Sequence, residues 1–162
     1  MVYPPRPTAL LTSGLSGGHT EAMSTDDYEL DDDPLRVDRA VVTKFLTTEA
    51  YWGRWRRRGE IERQLDAAWR VLGAYQRSTG EMVGFARAFS DGVAAAYLAD
   101  VFVLRPHRGH GVGARLVLAM IDDGPGATMR WMLHTADAHD LYARYGFQPP
   151  DSTYLERPAK FS

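Results

Sequence analysis

The chain has 162 residues, of which 44% are hydrophobic, which is enough for one domain with its own core and too little for two domains of ordinary size. Its formal net charge of -2 and isoelectric point of about 6.2 exclude a general attraction for nucleic acids or acidic membranes. The lack of cysteine excludes disulfides, thiolate metal sites and a cysteine nucleophile. Because there is neither a secretion signal nor an apolar run near the roughly 20 residues that span a bilayer, we expect a soluble, cytoplasmic protein.

The beginning of the chain, 1–25, is rich in Pro, Gly, Ser and Thr and has few side chains able to pack, so we expect a disordered tail. One folded domain is expected over 26–162. A short strand is predicted at Tyr28–Leu30, and the three aspartates that follow it are interpreted as a solvated turn. Asp38 then has the position of a helix cap, ahead of an apolar stripe formed by Val41, Val42, Phe45 and Leu46.

The segment 51–59 interleaves aromatic residues with four arginines. One interpretation is a nucleic-acid surface on which bases stack. The interpretation that we favour is a loop between two helices, whose aromatic rings pack on the core and whose arginines are solvated. A third interpretation is a substrate pocket walled by Tyr51, Trp52 and Trp55. The apolar spacing after this segment predicts a second amphipathic helix over 60–69.

From Val71 onward the apolar pattern becomes that of strands. Strands are predicted at 71–76, 82–89, 94–104 and 130–134, with a hairpin turn at 78–81. Helices are predicted at 111–122 and 138–145, the second capped by Asp137 and ended by Gly146. A closing hairpin is predicted from 147–148 and 154–156. The fold class is therefore α+β, a mixed sheet with helices on its faces.

The stretch 98–118 combines a buried strand, a basic turn and the start of a helix. The strand is apolar apart from Asp100, and Pro106 ends it because proline has no amide to give to a ladder. Three glycines follow within 108–113, where they allow backbone amides to approach a ligand. The helix that begins there adds unpaired amides and the positive end of its dipole. This combination predicts an anion site, most naturally for a phosphate or pyrophosphate.

Two common nucleotide-binding motifs do not fit this turn. The spacing Gly109-x-Gly111-x-x-Ala114 formally matches the Rossmann pattern, but that pattern belongs to the opening strand of a long alternating unit. Here the glycines come two thirds of the way along the chain, after predicted antiparallel strands. A Walker loop would end in Gly-Lys-Ser/Thr, which this sequence lacks.

Two motifs resemble those of the GNAT superfamily of acyl-CoA-dependent N-acyltransferases. The family signature Arg/Gln-x-x-Gly-x-Gly/Ala is similar to 108–113, Arg-Gly-His-Gly-Val-Gly. The second hallmark, Tyr-x-x-x-Gly-Phe, is similar to 142–147, Tyr-Ala-Arg-Tyr-Gly-Phe. The wider segments look like those of small bacterial GNAT proteins. The resemblance extends over about 28–157 and implies the GNAT fold, a mixed, mostly antiparallel sheet of six or seven strands flanked by about four helices.

The resemblance also implies a site for acetyl-CoA. The amides of the glycine turn would hold the pyrophosphate with charge added by Arg108, and His110 would take part through its amide rather than its ring. The strand before the turn would bond the pantetheine as another strand does. Thr135 stands where many members carry an asparagine that bonds the pantetheine. The implied coenzyme-binding residues are Val101, Phe102, Val103, Arg108, Gly109, His110, Gly111, Val112, Gly113, Ala114 and Thr135.

Two side chains are candidates for proton transfer. Tyr142 occupies the family's tyrosine position and is the candidate acid for the departing thiolate. Asp100 is the candidate that receives the amine proton, because an unpaired carboxylate in an apolar strand is costly. It is expected on the same side of the strand as Leu98, Phe102 and Leu104. An equally weighted alternative is an ion pair between Asp100 and an arginine such as Arg87 on the neighbouring strand.

These observations predict an N-acetyltransferase that moves acetyl from acetyl-CoA to a primary amine of a small molecule or peptide by direct attack. The alternative is a catalytically silent acyl-CoA-binding module that regulates without turnover. No nucleic-acid or membrane partner is expected, and the resemblance suggests a homodimer. No metal is expected, because capping and solvent exposure account better for the acids and histidines His134, Asp137, His139 and Asp140.

Overall fold

A computed structural model describes residues 23–160, and most of the predicted tail, 1–22, lies outside the described residues. The helices are α1 (Arg39–Thr48), α2 (Arg58–Asp66), α3 (Val112–Ile121) and α4 (His139–Ala143). The strands are β1 (Tyr28–Asp31), β2 (Arg70–Gln76), β3 (Met82–Ser90), β4 (Ala95–Val103) and β5 (Arg130–Met132). Within 23–160, no helix has both the length and the apolar character needed to cross a membrane.

The strands form one mixed sheet in the order β1-β2-β3-β4-β5. The first four strands pair antiparallel, and β5 joins parallel to β4 after a crossover through α3. The predicted α+β class is confirmed, with five strands among residues 23–160 rather than six or seven. The predicted closing hairpin is wrong, because the chain after 146 forms no strand up to residue 160. Pro149 and Pro150 remove two amide donors there, and Tyr154 bonds back to Asp151 in a turn.

Each face of the sheet carries its own core. On one face α3 packs through Leu116 and Met120, both 0% exposed, against Leu72 and Ala86 of the sheet. On the other face α1 and α2 pack against β2, β3 and β4, and the ring of Phe45 stacks on Phe102 with 4.0 Å between centroids. The two helical layers therefore hold β4 from both sides, as its predicted burial requires.

A β-bulge interrupts β4 at Asp100. Phe85 pairs with Phe102, but Arg87 pairs with Ala99, so one residue of β3 faces two residues of β4. Asp100 has φ 52°, and among residues 23–160 it is the only non-glycine with a positive φ. This backbone turns its side chain to the α1–α2 face, next to Phe102, whereas Leu98 packs with α3. The predicted alternation is thus right for Phe102 and Leu104 and wrong for Leu98, because the bulge changes the alternation.

The N-terminus of α1 gives a first test of the local structure. Asp38 caps this helix as predicted, since its Oδ1 accepts from the amides of Ala40 and Val41 at 3.0 Å each. We expect Asp38→Ala to lower the free energy of unfolding by about 1 kcal/mol, because two amides lose their acceptor. Urea denaturation measures the change. Asp38→Asn keeps a capping oxygen and serves as the control; an equal loss in both variants would contradict the capping account.

Candidate functional site

The glycine turn before α3 forms a cradle of backbone donors. Gly109 and Gly111 have φ values of 81° and 76°, which side chains disfavour. Gly111 is the residue before the first turn of α3 and offers no side-chain cap, so the amides of 112–114 have no partner within the helix. A Cβ built on Gly109 would meet no atom within 4 Å. Open space therefore lies beside a helix N-terminus with free donors, which is the arrangement of an anion site.

The segment 23–25 supports this turn from one side. The Thr25 hydroxyl donates to the carbonyl of His110 at 3.1 Å, and Nδ1 of His110 lies 2.9 Å from the carbonyl of Met23. Arg115 of α3 donates to the carbonyl of Thr25 at 2.6 Å. The His110 ring is thus occupied by a structural contact.

One edge of β4 is open next to the cradle. β5 pairs with β4 only over Ala95–Tyr97, and from Leu98 to Val103 the strand is paired with β3 alone among the described strands. The side chains of Val101 and Val103 pack towards α3, so only backbone groups face along this edge. Arg108 folds back from the turn and its Nε donates to the carbonyl of Val103 at 2.8 Å. An extended molecule can therefore add here as a strand, with its end at the cradle.

Asp100 is locked in a buried charge cluster. Its carboxylate accepts from Nη1 and Nη2 of Arg56 at 3.0 and 2.7 Å, from Nε of Arg87 at 2.6 Å and from the indole of Trp52 at 3.3 Å. The side chains of Arg56 and Asp100 are each 4% exposed. The ion pair with Arg87 that the sequence offered as the alternative is present. The expectation that the arginines of 51–59 are solvated is wrong for Arg56, because Asp100 compensates its burial.

The same cluster fixes the protonation of Asp100. Burial alone raises the pKa of the carboxyl group, but the hydrogen bonds and charges of Arg56 and Arg87 lower it by more, so the pKa lies below its ordinary value. A carboxylate with four donors and a lowered pKa is a poor proton acceptor. The geometry therefore favours a structural role for Asp100 over the role of a base.

The aromatic residues of the α1–α2 loop lie beside this cluster. Trp52 is half-buried against Phe45, and Tyr51 packs edge-on against Trp52. The Tyr51 hydroxyl accepts from the amide of Ala136 at 3.1 Å, which links the loop to the segment after β5. Trp55 is 57% exposed, and its indole donates to the carbonyl of Trp52. Tyr51 therefore reaches the segment that follows β5, where β4 and β5 have separated.

A cavity of about 910 Å³ lies between β5, α4 and the C-terminal segment. Tyr142 lines it from α4, packed edge-on against Phe147, with 5.7 Å between ring centroids. Burial, and to a smaller degree the neighbouring Tyr145, Tyr51 and Asp137, raise the pKa of Tyr142 above its ordinary value. Its hydroxyl therefore stays protonated at neutral pH.

Thr135 also lines this cavity. Its hydroxyl accepts from the amide of Ala138 at 3.1 Å and so stabilises the approach to α4. The residue before α4 is Ala138, and no side chain caps the helix, so the predicted cap at Asp137 is wrong. The hydrogen of the Thr135 hydroxyl remains available for donation to a ligand.

Sequence reasoning missed a chain of three polar side chains in this cavity. The Tyr97 hydroxyl lies 2.5 Å from Nδ1 of His134, and Nε2 of His134 lies 2.9 Å from Oε2 of Glu156. The side chain of His134 is 59% exposed, as the sequence predicts, but its contact with Glu156 was not predicted because the two residues are 22 positions apart and no local spacing connects them. Residues 23–160 contain no group of three or more acids and histidines placed to hold a metal ion.

Comparisons with known proteins agree with this architecture. Residues 67–149 match the family described as acetyltransferase (GNAT) domain. A crystal structure of a GNAT-family protein from Xanthomonas campestris pv. campestris is 34% identical, with a TM-score of 0.74, over 82% of this chain and 93% of that chain. A crystal structure from Deinococcus radiodurans R1 is 24% identical, with a TM-score of 0.62, over 84% and 92% of the two chains.

Another similar structure carries a ligand. Rv2747 from Mycobacterium tuberculosis, in complex with CoA and NLQ, is 15% identical with a TM-score of 0.61, over 79% of this chain and 76% of that chain. No curated protein matches the chain. The family match and the Xanthomonas structure are sufficient for assignment: the chain belongs to the GNAT acetyltransferase family. The family predicted from the two motifs is thereby confirmed.

Proposed function

We propose that this protein is an N-acetyltransferase that moves the acetyl group of acetyl-CoA to a primary amine of a small molecule or peptide. The observation that carries the proposal is the open edge of β4 ending at the cradle of free amides before α3. An extended pantetheine arm and a pyrophosphate need these two features at adjacent positions. Membership of the GNAT family supports the same donor.

The described residues fit acetyl-CoA in three places. The amides of 109–114 and the guanidinium of Arg108 would hold the pyrophosphate. The backbone of Val101, Phe102 and Val103 would bond the pantetheine, with the Thr135 hydroxyl across the gap as a further donor. Tyr51, Trp52 and Trp55 would border the acceptor amine from the other side of β4. Bound acetyl-CoA supplies a thioester, whose carbonyl carbon an amine attacks directly.

The residues of the chain have two tasks in this reaction. A primary amine has a pKa near ~10.4, so it must lose a proton before its nitrogen can attack. The thiolate that leaves must gain a proton, and Tyr142, which lines the cavity, would be that donor. A backbone amide of β4 would polarise the thioester carbonyl. Because the sequence contains no cysteine, transfer through an enzyme thioester is excluded.

Binding of acetyl-CoA at the cradle is tested by Gly109→Leu with Gly80→Leu as the matched control. Both glycines have a positive φ, 81° and 73°, and open space around them, so both substitutions impose similar backbone strain. Gly80 lies in the β2–β3 hairpin. We expect Gly109→Leu to weaken acetyl-CoA binding by roughly 10- to 100-fold, because the side chain displaces at least one charge-assisted hydrogen bond. Calorimetric titration measures the affinity.

The titration separates the proposal from its rivals. Unchanged affinity in Gly80→Leu with a loss in Gly109→Leu supports the cradle. Equal affinity in both variants would remove the cradle from the site, and absence of binding by the unmodified protein would overturn the donor assignment. Binding without release of coenzyme A thiol across a panel of amines would favour the catalytically silent module instead.

A further inference from the structure

Direct transfer to an amine requires a group that receives the amine proton, and Asp100 is unsuited to receive it. Its two oxygens already accept four hydrogen bonds, and two guanidinium groups hold it ionised. A group other than Asp100 is therefore needed to receive the proton. The inference below rests on the proposed acetyl transfer.

The polar chain Tyr97, His134 and Glu156 lies where β4 and β5 separate. Tyr97 belongs to the last residue pair between the two strands, opposite Met132, and His134 follows two residues later. The Tyr97 ring is fixed by stacking on Phe89, at 4.8 Å between centroids and 13° between planes. Glu156 comes from the C-terminal segment. Three separate parts of the chain thus converge on one hydrogen-bonded line.

The chemistry of the three groups fixes the direction of their hydrogen bonds. A carboxylate only accepts, so Nε2 of His134 donates to Glu156. The neutral ring then has its acceptor nitrogen at Nδ1, and the Tyr97 hydroxyl donates to it. Burial, the largest influence, raises the pKa of Tyr97 above its ordinary value, so this hydroxyl holds its proton until another proton replaces it.

The hydrogen-bonded chain of Tyr97, His134 and Glu156 shares its cavity with Tyr142, the proposed acid. Tyr97, His134 and Glu156 line the same 910 Å³ space as Tyr142. His139 and Asp140 also line it, but neither forms a side-chain hydrogen bond with any residue between 23 and 160, so nothing orients them. The oriented side chains therefore offer a proton acceptor to an amine in this cavity.

We propose that Tyr97, His134 and Glu156 form the proton relay that deprotonates the acceptor amine. The Tyr97 oxygen takes a proton from the ammonium group as its own hydroxyl proton passes to Nδ1 of His134. The ring becomes an imidazolium, and Glu156 stabilises its charge through Nε2. The amine lone pair that results attacks the thioester carbon, the carbon–sulfur bond breaks, and Tyr142 protonates the thiolate. The nitrogen, now bonded to the acetyl group, loses its second proton, which restores the Tyr142 hydroxyl through solvent, and the relay returns the first proton to solvent.

Other charged groups face the relay from each neighbouring element. Asp100 acts from β4, Tyr154 contacts Glu156 from the C-terminal segment, Arg130 lines the cavity from β5, and His139 and Asp140 face it from α4. The rate measured for one variant therefore depends on several groups in the cavity. Comparison with single variants isolates the contribution of His134.

The activity test uses acetyl-CoA with two probe amines, benzylamine and hydroxylamine, and follows release of coenzyme A thiol. Benzylamine is protonated at neutral pH, whereas hydroxylamine is mostly unprotonated there. We expect His134→Gln to lower kcat/KM for benzylamine by about 10²- to 10⁴-fold. Glu156→Gln and Tyr97→Phe should lower it in the same direction. The loss with hydroxylamine should be much smaller.

The matched control is His139→Gln, the same substitution in the same cavity at a ring without an oriented partner. It should leave kcat/KM for benzylamine within about twofold, as expected for a side chain outside the relay. Equal losses in His134→Gln and His139→Gln, or no loss in either, would overturn the relay and leave acetyl transfer standing. If the unmodified protein neither binds acetyl-CoA nor releases thiol, the proposed function itself fails.

A second measurement tests the relay without turnover. Long-range nitrogen NMR of histidine-labelled protein reports which ring nitrogen carries the proton, and His134→Gln assigns the signals of residue 134 by their loss. We expect the neutral ring to carry its proton on Nε2, and Glu156→Gln to bring both tautomers into equilibrium. A neutral ring protonated on Nδ1 would contradict the relay, because the Tyr97 proton would then have no acceptor.

Discussion

Replacing Asp100 by asparagine should lower the free energy of unfolding by about 3–5 kcal/mol, since removal of one partner leaves a buried charge uncompensated. Two guanidinium groups depend on this carboxylate. Arg56 is 6% exposed and Arg87 is 7% exposed, so water cannot take over its role. Guanidinium chloride denaturation followed by circular dichroism measures the change.

The control for this substitution is Asp66→Asn. Asp66 also pairs with an arginine, Arg39 at 2.7 Å, but its side chain is 64% exposed. Exposed ion pairs contribute about 0–1 kcal/mol, so this variant should stay close to the unmodified protein. A loss at Asp100 as small as that at Asp66 would mean that the buried cluster is not what holds the bulge of β4.

The pH dependence of stability gives the same cluster a second readout. The pKa of Asp100 is lowered in the folded protein, so its contribution is complete above the unfolded-state pKa of about 3.9 and is lost as pH falls through the folded value. The stability advantage of the unmodified protein over Asp100→Asn should therefore shrink below about pH 4. An advantage that grows on acidification would contradict the sign of this shift.

Tyr142→Phe is expected to lower kcat by about 10²- to 10⁴-fold with acetyl-CoA and benzylamine, the usual range for loss of a positioned acid. The affinity for acetyl-CoA should hardly change, because phenylalanine keeps the ring that packs against Phe147. Stopped-flow thiol release and calorimetric titration measure the two quantities. Since burial raises the pKa of Tyr142, the unmodified protein should keep its acid form beyond the pH at which an ordinary tyrosine ionises.

The control is Tyr145→Phe, the same loss of one hydroxyl from a ring that packs on the same core. It should leave kcat within about twofold, as for most substitutions away from a site. Similar losses in both variants would assign the effect to packing. A loss of acetyl-CoA affinity in Tyr142→Phe would move this residue from proton transfer to binding.

The local parts of this site were predictable from sequence because their signals are local. The glycines at 109 and 111 stand directly before a helical apolar stripe, so the cradle follows from neighbouring residues alone. The tyrosine motif at 142–147 is equally compact. The hairpin at 78–81 and the cap at Asp38 belong to the same group, since turns and caps are decided within a few positions.

The parts that the sequence did not predict depend on distant partners. Arg56 and Asp100 are 44 positions apart, and no spacing rule connects a loop arginine to a strand acid. His134 meets Glu156 only because the C-terminal segment, instead of forming a hairpin, passes beside β5. The side of the strand predicted for Leu98 was wrong for another reason. An alternation rule only counts residues, so it cannot detect the extra residue of a bulge, which is recognised by its backbone angle.

The bulge at Asp100 has a consequence for the gap between β4 and β5. If Asp100 is left out of the count, Leu98, Val101 and Val103 fall on one side of β4 in perfect alternation, and all three pack with α3. The hydrophobic pattern of the strand is therefore complete without this residue. Because a bulge bends its strand and increases the local twist, this added position helps to turn β4 away from β5. The gap beside β4 thus depends on a supernumerary residue, one that the core does not need and that two arginines hold in place.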